Sequence, residues 1–201
     1  VAPIIASVAS TNVADCGDTD GTITITASSP NGGAIEYSIG GAYQSSNVFS
    51  NLTAGTYQIS VRNAAGTCVV TDADVTITEP TAPAFTNVGS SNPSNCGVTD
   101  GIITVTASAG STLTEYSIDG GTNWTTSGSF TGLAAGTYNV FIRNTGNTCQ
   151  VAWVNNPVIL TAPNAASITN VAFTNPTECN VTDGIITITA SGSGALEYSI
   201  N

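Results

Sequence analysis

Residues 16–28 read CGDTDGTITITAS, and the phrase returns as CGVTDGIITVTAS at 96–108 and as CNVTDGIITITAS at 179–191. Each copy sets an Asp-Gly pair before a run in which Ile or Val alternates with Thr. In the first copy Ile23 and Ile25 fall on one side of an extended chain, and Thr22, Thr24 and Thr26 on the other. Successive strand side chains point to opposite faces, so this alternation predicts a half-buried strand entered through an Asp-Gly turn. Helical spacing is found nowhere in the sequence.

Working outward, a second phrase recurs: FSNLTAGTYQISVRNAAGTC ends at Cys68 and FTGLAAGTYNVFIRNTGNTC at Cys149. Between the two phrases lie EYSIGG from Glu36 and EYSIDGG from Glu115, and the last copy reads EYSIN. Upstream, Ile5, Phe85 and Ile168 each precede their cysteine by eleven residues, and Val8, Val88 and Val171 by eight. The period is 80 residues and then 83. Alternation predicts that Ile35, Tyr37 and Ile39 face inward on one strand, and Tyr57, Ile59 and Val61 on another. Gly40-Gly41 and Asp119-Gly120-Gly121 read as hairpin turns, since Gly and Asp tolerate positive φ. The expected fold is all-β, a tandem of immunoglobulin-like antiparallel β-sandwich repeats of about 80 residues, with six or seven short strands each. Boundaries fall near the Ala-Pro pairs: residues 1–81 form the first repeat, 82–162 the second, and 163–201 the N-terminal half of a third. The linkers TEPTAPAF and LTAPNAAS carry proline, which stiffens the joint and favours end-to-end stacking.

Composition narrows the function. Two Arg, no Lys and no His stand against thirteen acidic residues, for a net charge of -11. Such a surface repels nucleic-acid phosphates and anionic membranes, so neither is an expected partner. The 41% hydrophobic fraction calls for a packed core. No apolar run is long enough to cross a membrane as a helix. The opening VAPIIASVAS lacks an initiator Met, a basic region and a cleavage site, and reads as an internal piece of a longer chain. Enzymatic readings fail on inventory, with no His or Lys to act as general base and the acids placed singly on turns. Absence of Lys also excludes Lys-Asn isopeptide crosslinks.

The ordered set of cysteine, DGIITVTAS, EYSIDGG, FTGLAAGTYNVFIRN and closing cysteine resembles the SprB-type repeats of Bacteroidota cell-surface and gliding-motility adhesins. The resemblance covers both whole repeats and the visible half of the third. It implies a long secreted protein at the cell surface, made of many such modules, and supplies no catalytic residues. The chain departs from the pattern in its longer segments between Gly41 and Gly55 and between Gly121 and Gly136.

One cysteine pair per repeat, without His or Cys-x-x-Cys, reads as a structural disulfide of an extracellular protein. The expected pairs are Cys16 with Cys68 and Cys96 with Cys149, because a disulfide normally closes its own small domain; Cys179 would then pair beyond residue 201. That pairing requires a single strand between Ile39 and Tyr57. A standard immunoglobulin-like order puts two there and holds the cysteines of one repeat at opposite ends, in which case Cys16 can meet Cys149 across the domain junction.

Asp15, Asp18 and Asp20 have the alternate spacing of a calcium loop. Only Asp20, Asp100 and Asp183 recur, which favours a turn over a metal site, and no cofactor is expected. Leu52, Gly55 and Tyr57, matched by Leu133, Gly136 and Tyr138, fit a tyrosine corner. Arg62 and Arg143 should face solvent and pair with acids. Tyr43, Trp124 and Trp153 are the candidate contacts for a sugar ring or a neighbouring subunit, with local packing preferred. Sequons lie at Asn51, Asn123 and Asn180. The expected role is a structural stalk or filament whose partners are further copies of the repeat; the alternative is an adhesin module for surface glycans. The half repeat predicts that Tyr198 and Ile200 are exposed while Tyr37, Ile39, Tyr116 and Ile118 are buried.

Overall fold

The computed structural model describes residues 1–200 and is all-β, with no helix among them. The first repeat supplies β1 (Ile4–Thr11), β2 (Gly21–Ser28), β3 (Ile35–Ser38), β4 (Val48–Leu52), β5 (Gly55–Tyr57), β6 (Ser60–Asn63), β7 (Val70–Thr71) and β8 (Val75–Ile77). The second repeats this order as β9 (Ala84–Ser91), β10 (Gly101–Ser108), β11 (Thr114–Ser117), β12 (Ser129–Leu133), β13 (Gly136–Tyr138), β14 (Phe141–Asn144), β15 (Thr148–Ala152) and β16 (Val158–Leu160). The third contributes β17 (Ser167–Thr174) and β18 (Ile185–Ser191) as a two-stranded antiparallel hairpin.

In the first repeat one sheet runs β1-β2-β4 and a second β3-β6-β7, with β5 paired to β8. Ile23 and Ile25 of β2 share one buried cluster with Tyr37 of β3, Ile59 between β5 and β6, Val61 of β6 and Ile77 of β8, so the two sheets face each other as a sandwich. The alternation in the sequence sets this directly: Ile23 and Ile25 are fully buried while Thr26 is exposed. Gly21 and Gly101 are required for packing. A Cβ on either would come within 2.8 Å of the carbonyl oxygen of Leu52 or Leu133, where the next strand of the sheet crosses. The expected single strand after Gly55 divides in two, because β5 pairs with β8 and β6 then crosses to β3. Both tyrosine corners form, with the Tyr57 hydroxyl donating to the Thr53 carbonyl and that of Tyr138 to the Ala134 carbonyl, each at 2.9 Å.

The chain divides into two compact units whose borders cut across the 80-residue period. One comprises Val1–Ala84 with Ala107–Glu115 and Ile142–Val151; the other Phe85–Thr106, Tyr116–Phe141 and Ala152–Asn201. The first unit therefore holds the whole first repeat together with the end of β10, the start of β11 and most of β14 and β15 of the second. In the second unit the third hairpin carries its apolar residues in the open: Ile186 is 55% exposed, whereas its counterparts Ile23 and Ile103 are at 0%. Tyr198 and Ile200 are exposed as expected; among their counterparts Tyr37 is buried, and Ile39, Tyr116 and Ile118 are half-buried.

The cysteine pairing is a correction to the expectation. Cys16 is bonded to Cys149, with a Cα separation of 5.0 Å, and Cys68, Cys96 and Cys179 are exposed free thiols. The cause is the strand count. The segment after Ile39 first crosses back along β3, where Gln44 bridges to Tyr37, and then returns as β4 beside β2. These two crossings put the β1–β2 turn, which carries Cys16, against the far end of β8, where Val13 N–H donates to the Thr78 carbonyl. Cys68 sits in the β6–β7 turn, ten positions before Thr78. Between them β7 runs antiparallel to β6 and β8 antiparallel to β5, which carries the chain from the Cys68 end of the sandwich to the Cys16 end, out of disulfide reach.

Candidate functional site

The feature that the fold builds with most care is the meeting of the Cys16 turn with Cys149, at the start of β15, within the first unit. Cys16 lies in a turn closed by Gly17 at φ +77°, and Cys149 is itself left-handed at φ +55°, an uncommon conformation for a side-chain-bearing residue. The Asp15 carboxylate accepts the N–H of both Cys16 and Cys149 through one oxygen, so a single side chain ties the two turns. Glu79 accepts the Gly17 N–H at 2.8 Å, and the Pro80 carbonyl oxygen lies 2.9 Å from Cys16 Sγ. The linker between repeats thus runs past the disulfide.

Further bonds hold that linker. Asn144 is fully buried and donates from Nδ2 to the Thr81 carbonyl at 2.9 Å. Thr81 and Ser111 exchange two bonds, the Thr81 N–H donating to Ser111 Oγ and the Ser111 N–H to the Thr81 carbonyl. Both arrangements recur. Asn63 donates to the Val1 carbonyl at 3.4 Å, and the Asn164 N–H meets Ser193 Oγ while the Ser193 N–H donates back to the Asn164 carbonyl. Sequence reasoning did not single out Asn63, Asn144, Ser111 or Ser193. The recurrent Arg-Asn pair at 62–63 and 143–144 was the available signal.

The calcium candidates do not converge as a metal cage. Asp15 is spent on the two cysteine N–H groups, and the Asp18 N–H donates to the Asp15 carbonyl. Asp20 accepts the Ala14 N–H at 3.0 Å, a bond repeated by Asp100 with Ser94 and by Asp183 with Thr177. Asp15 lies close to both cysteines in a group with ligand-like spacing, but two sulfurs bonded to each other are not thiolate ligands. The recurring Asp therefore holds the turn ahead of each strand. Hydrogen bonds from the Ser94 side chain and backbone keep Asp100 below the ordinary carboxylate range, and those from Thr177 do the same for Asp183.

Tyr43, Trp124 and Trp153 are all half-buried. Arg62 lies 3.9 Å over the Tyr43 ring while its guanidinium pairs with Glu36 at 2.8 Å. Trp124 donates from Nε1 to the Gly121 carbonyl at 2.9 Å. Trp153 packs on Phe85 with ring centroids 5.0 Å apart. Arg143 pairs with Glu115 at 2.8 Å, the counterpart of the Arg62 pair. Each candidate aromatic thus has a local partner. Of the sequons, Asn51, Asn123 and Asn180 are all exposed, and Asn123 Nδ2 donates to Asp119 Oδ2 at 2.7 Å. Asp119 also accepts the Asn123 and Thr122 N–H groups, and these bonds, that from the Asn123 N–H foremost, lower its pKa to about 2.

No protein-family model matches the chain, and no curated protein matches it in sequence. Among solved structures it is similar to Drosophila OTK, extracellular domains 3-5, at 13% identity and a TM-score of 0.30, over 75% of this chain and 58% of that one.

Proposed function

We propose that this chain is a structural segment, a stalk or filament-forming run of repeats, of a secreted bacterial cell-surface protein of the SprB-repeat kind. The observation that carries the reading is the disulfide that joins the first repeat to β15 of the second instead of closing either one. A disulfide is at home in an oxidising compartment, which supports an extracellular location. Tension applied to the chain ends would pass from Cys16 to Cys149 through the sulfur bridge and bypass the strands between them. A stalk benefits from such a path. The repeated turn and linker bonds serve stacking equally well.

Electron microscopy with antibodies against this segment tests the reading on producing cells. Decoration along extended surface fibres is expected, and decoration confined to the cytoplasm would refute it. The adhesin alternative rests on the half-buried faces of Tyr43, Trp124 and Trp153. A glycan array on which the chain binds, and on which Trp124→Ala abolishes binding, would replace the stalk with that reading.

A further inference from the structure

We propose that Cys96 is one half of a second disulfide of the same register. Its partner is the cysteine turn, equivalent to the Cys149 turn, of the module that β17 and β18 begin, completed in the same polypeptide. Four observations point there. First, the Cys96 turn copies the Cys16 turn: Gly97 takes φ +73° against +77° for Gly17, and the Cys96 N–H donates to Asn95 Oδ1 at 2.8 Å as the Cys16 N–H does to Asp15. Asn95 keeps the acceptor oxygen with which Asp15 also takes the Cys149 N–H. Second, the chain that passes beside Cys96 is held as at the first junction, with Asn164 and Ser193 in the places of Thr81 and Ser111. Third, a groove of about 390 Å³ opens at this point, lined among others by Asn95, Cys96, Pro163, Asn164, Ser193 and Leu196. At the corresponding place in the first unit, beside Asp15, Cys16 and Pro80, stands the Cys149 turn. Fourth, Cys68 holds the same left-handed backbone as Cys149, φ +56° against +55°, although it is unbonded. That conformation therefore belongs to the turn and exists before any bond is made.

The register follows: the β1–β2 turn cysteine of each module bonds the cysteine five or six residues after the Arg-Asn pair of β6, at or just before β7, in the next. Cys96 then reaches the third module, Cys179 a fourth, and Cys68 answers to a module before the first. Bond formation removes one proton and one electron from each thiol. An oxidising disulfide, such as that of glutathione, accepts them and leaves as two thiols. The inference holds whether the repeats serve as a stalk or as a display for adhesion.

The test is a chain in which residues 120–162 are appended after Asn201, so that the second repeat's own sequence completes the third. The added cysteine then lies 30 residues past Asn201, the spacing from Asp119 to Cys149. After refolding in a glutathione redox buffer, alkylation of free thiols and peptide mapping without reductant should find Cys96 bonded to the added cysteine, with Cys68 and Cys179 alkylated. The Cys16–Cys149 bond in the same molecules reports correct folding. A bond from Cys179 to the added cysteine, or quantitative alkylation of Cys96 in molecules that carry Cys16–Cys149, would overturn the proposal. The unextended chain gives a second measurement. Under the same oxidation it should stay monomeric, and a covalent dimer through Cys96 and Cys68 of two copies would place the partner in another chain and overturn it as well.

Discussion

Trypsin has two sites in this chain, after Arg62 and after Arg143, because there is no Lys. Digestion in denaturant with thiols capped therefore yields three peptides, 1–62, 63–143 and 144–201. With Cys16 bonded to Cys149, the outer two stay joined and the middle peptide, bearing Cys68 and Cys96, is released without reductant. Pairing within repeats would hold all three together. The bond closes a sequence separation of 133 residues, which in the chain-entropy model removes unfolded-state freedom equivalent to about 5 kcal/mol. Cys149→Ser should therefore lower the thermal midpoint by roughly 10–20 °C if the first unit melts as one body, at about 2–4 °C per kcal/mol for a chain of this size. Cys68→Ser, at an exposed free thiol, should leave the midpoint within a degree or two. Retention of the middle peptide would refute the register. An unchanged midpoint for Cys149→Ser would refute the argument that the bond restrains the unfolded chain.

Ile103→Ala should cost about 2–5 kcal/mol in denaturant titration, since Ile103 is fully buried, while Ile102→Ala next to it, 37% exposed, should shift the midpoint little. For Asp119 the folded pKa of about 2 lies below the ordinary aspartate value of 3.8, so the order that it lends to its turn is present above about pH 4 and is lost as pH falls through about 2. The amide resonances of Thr122 and Asn123 should titrate with that low midpoint, and Asp119→Asn should abolish the titration.

The pattern that exposed the fold was strong where one face is apolar and regular. Ile23 and Ile25, and Ile103 and Val105, announce their burial two residues at a time, and the half-buried Tyr57 and Tyr138 mark the same corner in each repeat, so the all-β class and the repeat were legible. The decisive crossing was not. Gln44 joins β3 through backbone bonds alone, Tyr37 N–H to the Gln44 carbonyl at 2.8 Å and Gln44 N–H to the Tyr37 carbonyl at 2.9 Å, while its own side chain is exposed. A strand fragment that buries no side chain leaves no alternation to read. The junction bonds were hidden for the same reason: Asn144, Thr81 and Ser111 are polar residues whose partners lie 30 or more positions away.

That one unread crossing changes what the disulfides do. Each pass of the chain along a sandwich moves it to the opposite end, so the parity of passes between two turns decides whether their cysteines share an end. With the Gln44 segment counted, the turn of Cys16 and the turn of Cys68 lie at opposite ends, and the cysteine within reach of Cys16 belongs to the next repeat. A bond within a repeat would stabilise each module by itself and leave neighbours independent. The bond from Cys16 to Cys149 makes the restraint on the first repeat depend on the folded β14–β15 hairpin of the second, through Asp15 and the shared linker. In a repeat array, where stability is a sum of module and neighbour terms, a covalent neighbour term raises the cooperativity of the whole. It also means that one reduced cysteine loosens two modules, which is why Cys149→Ser should be felt in the first repeat, whose sequence it does not touch.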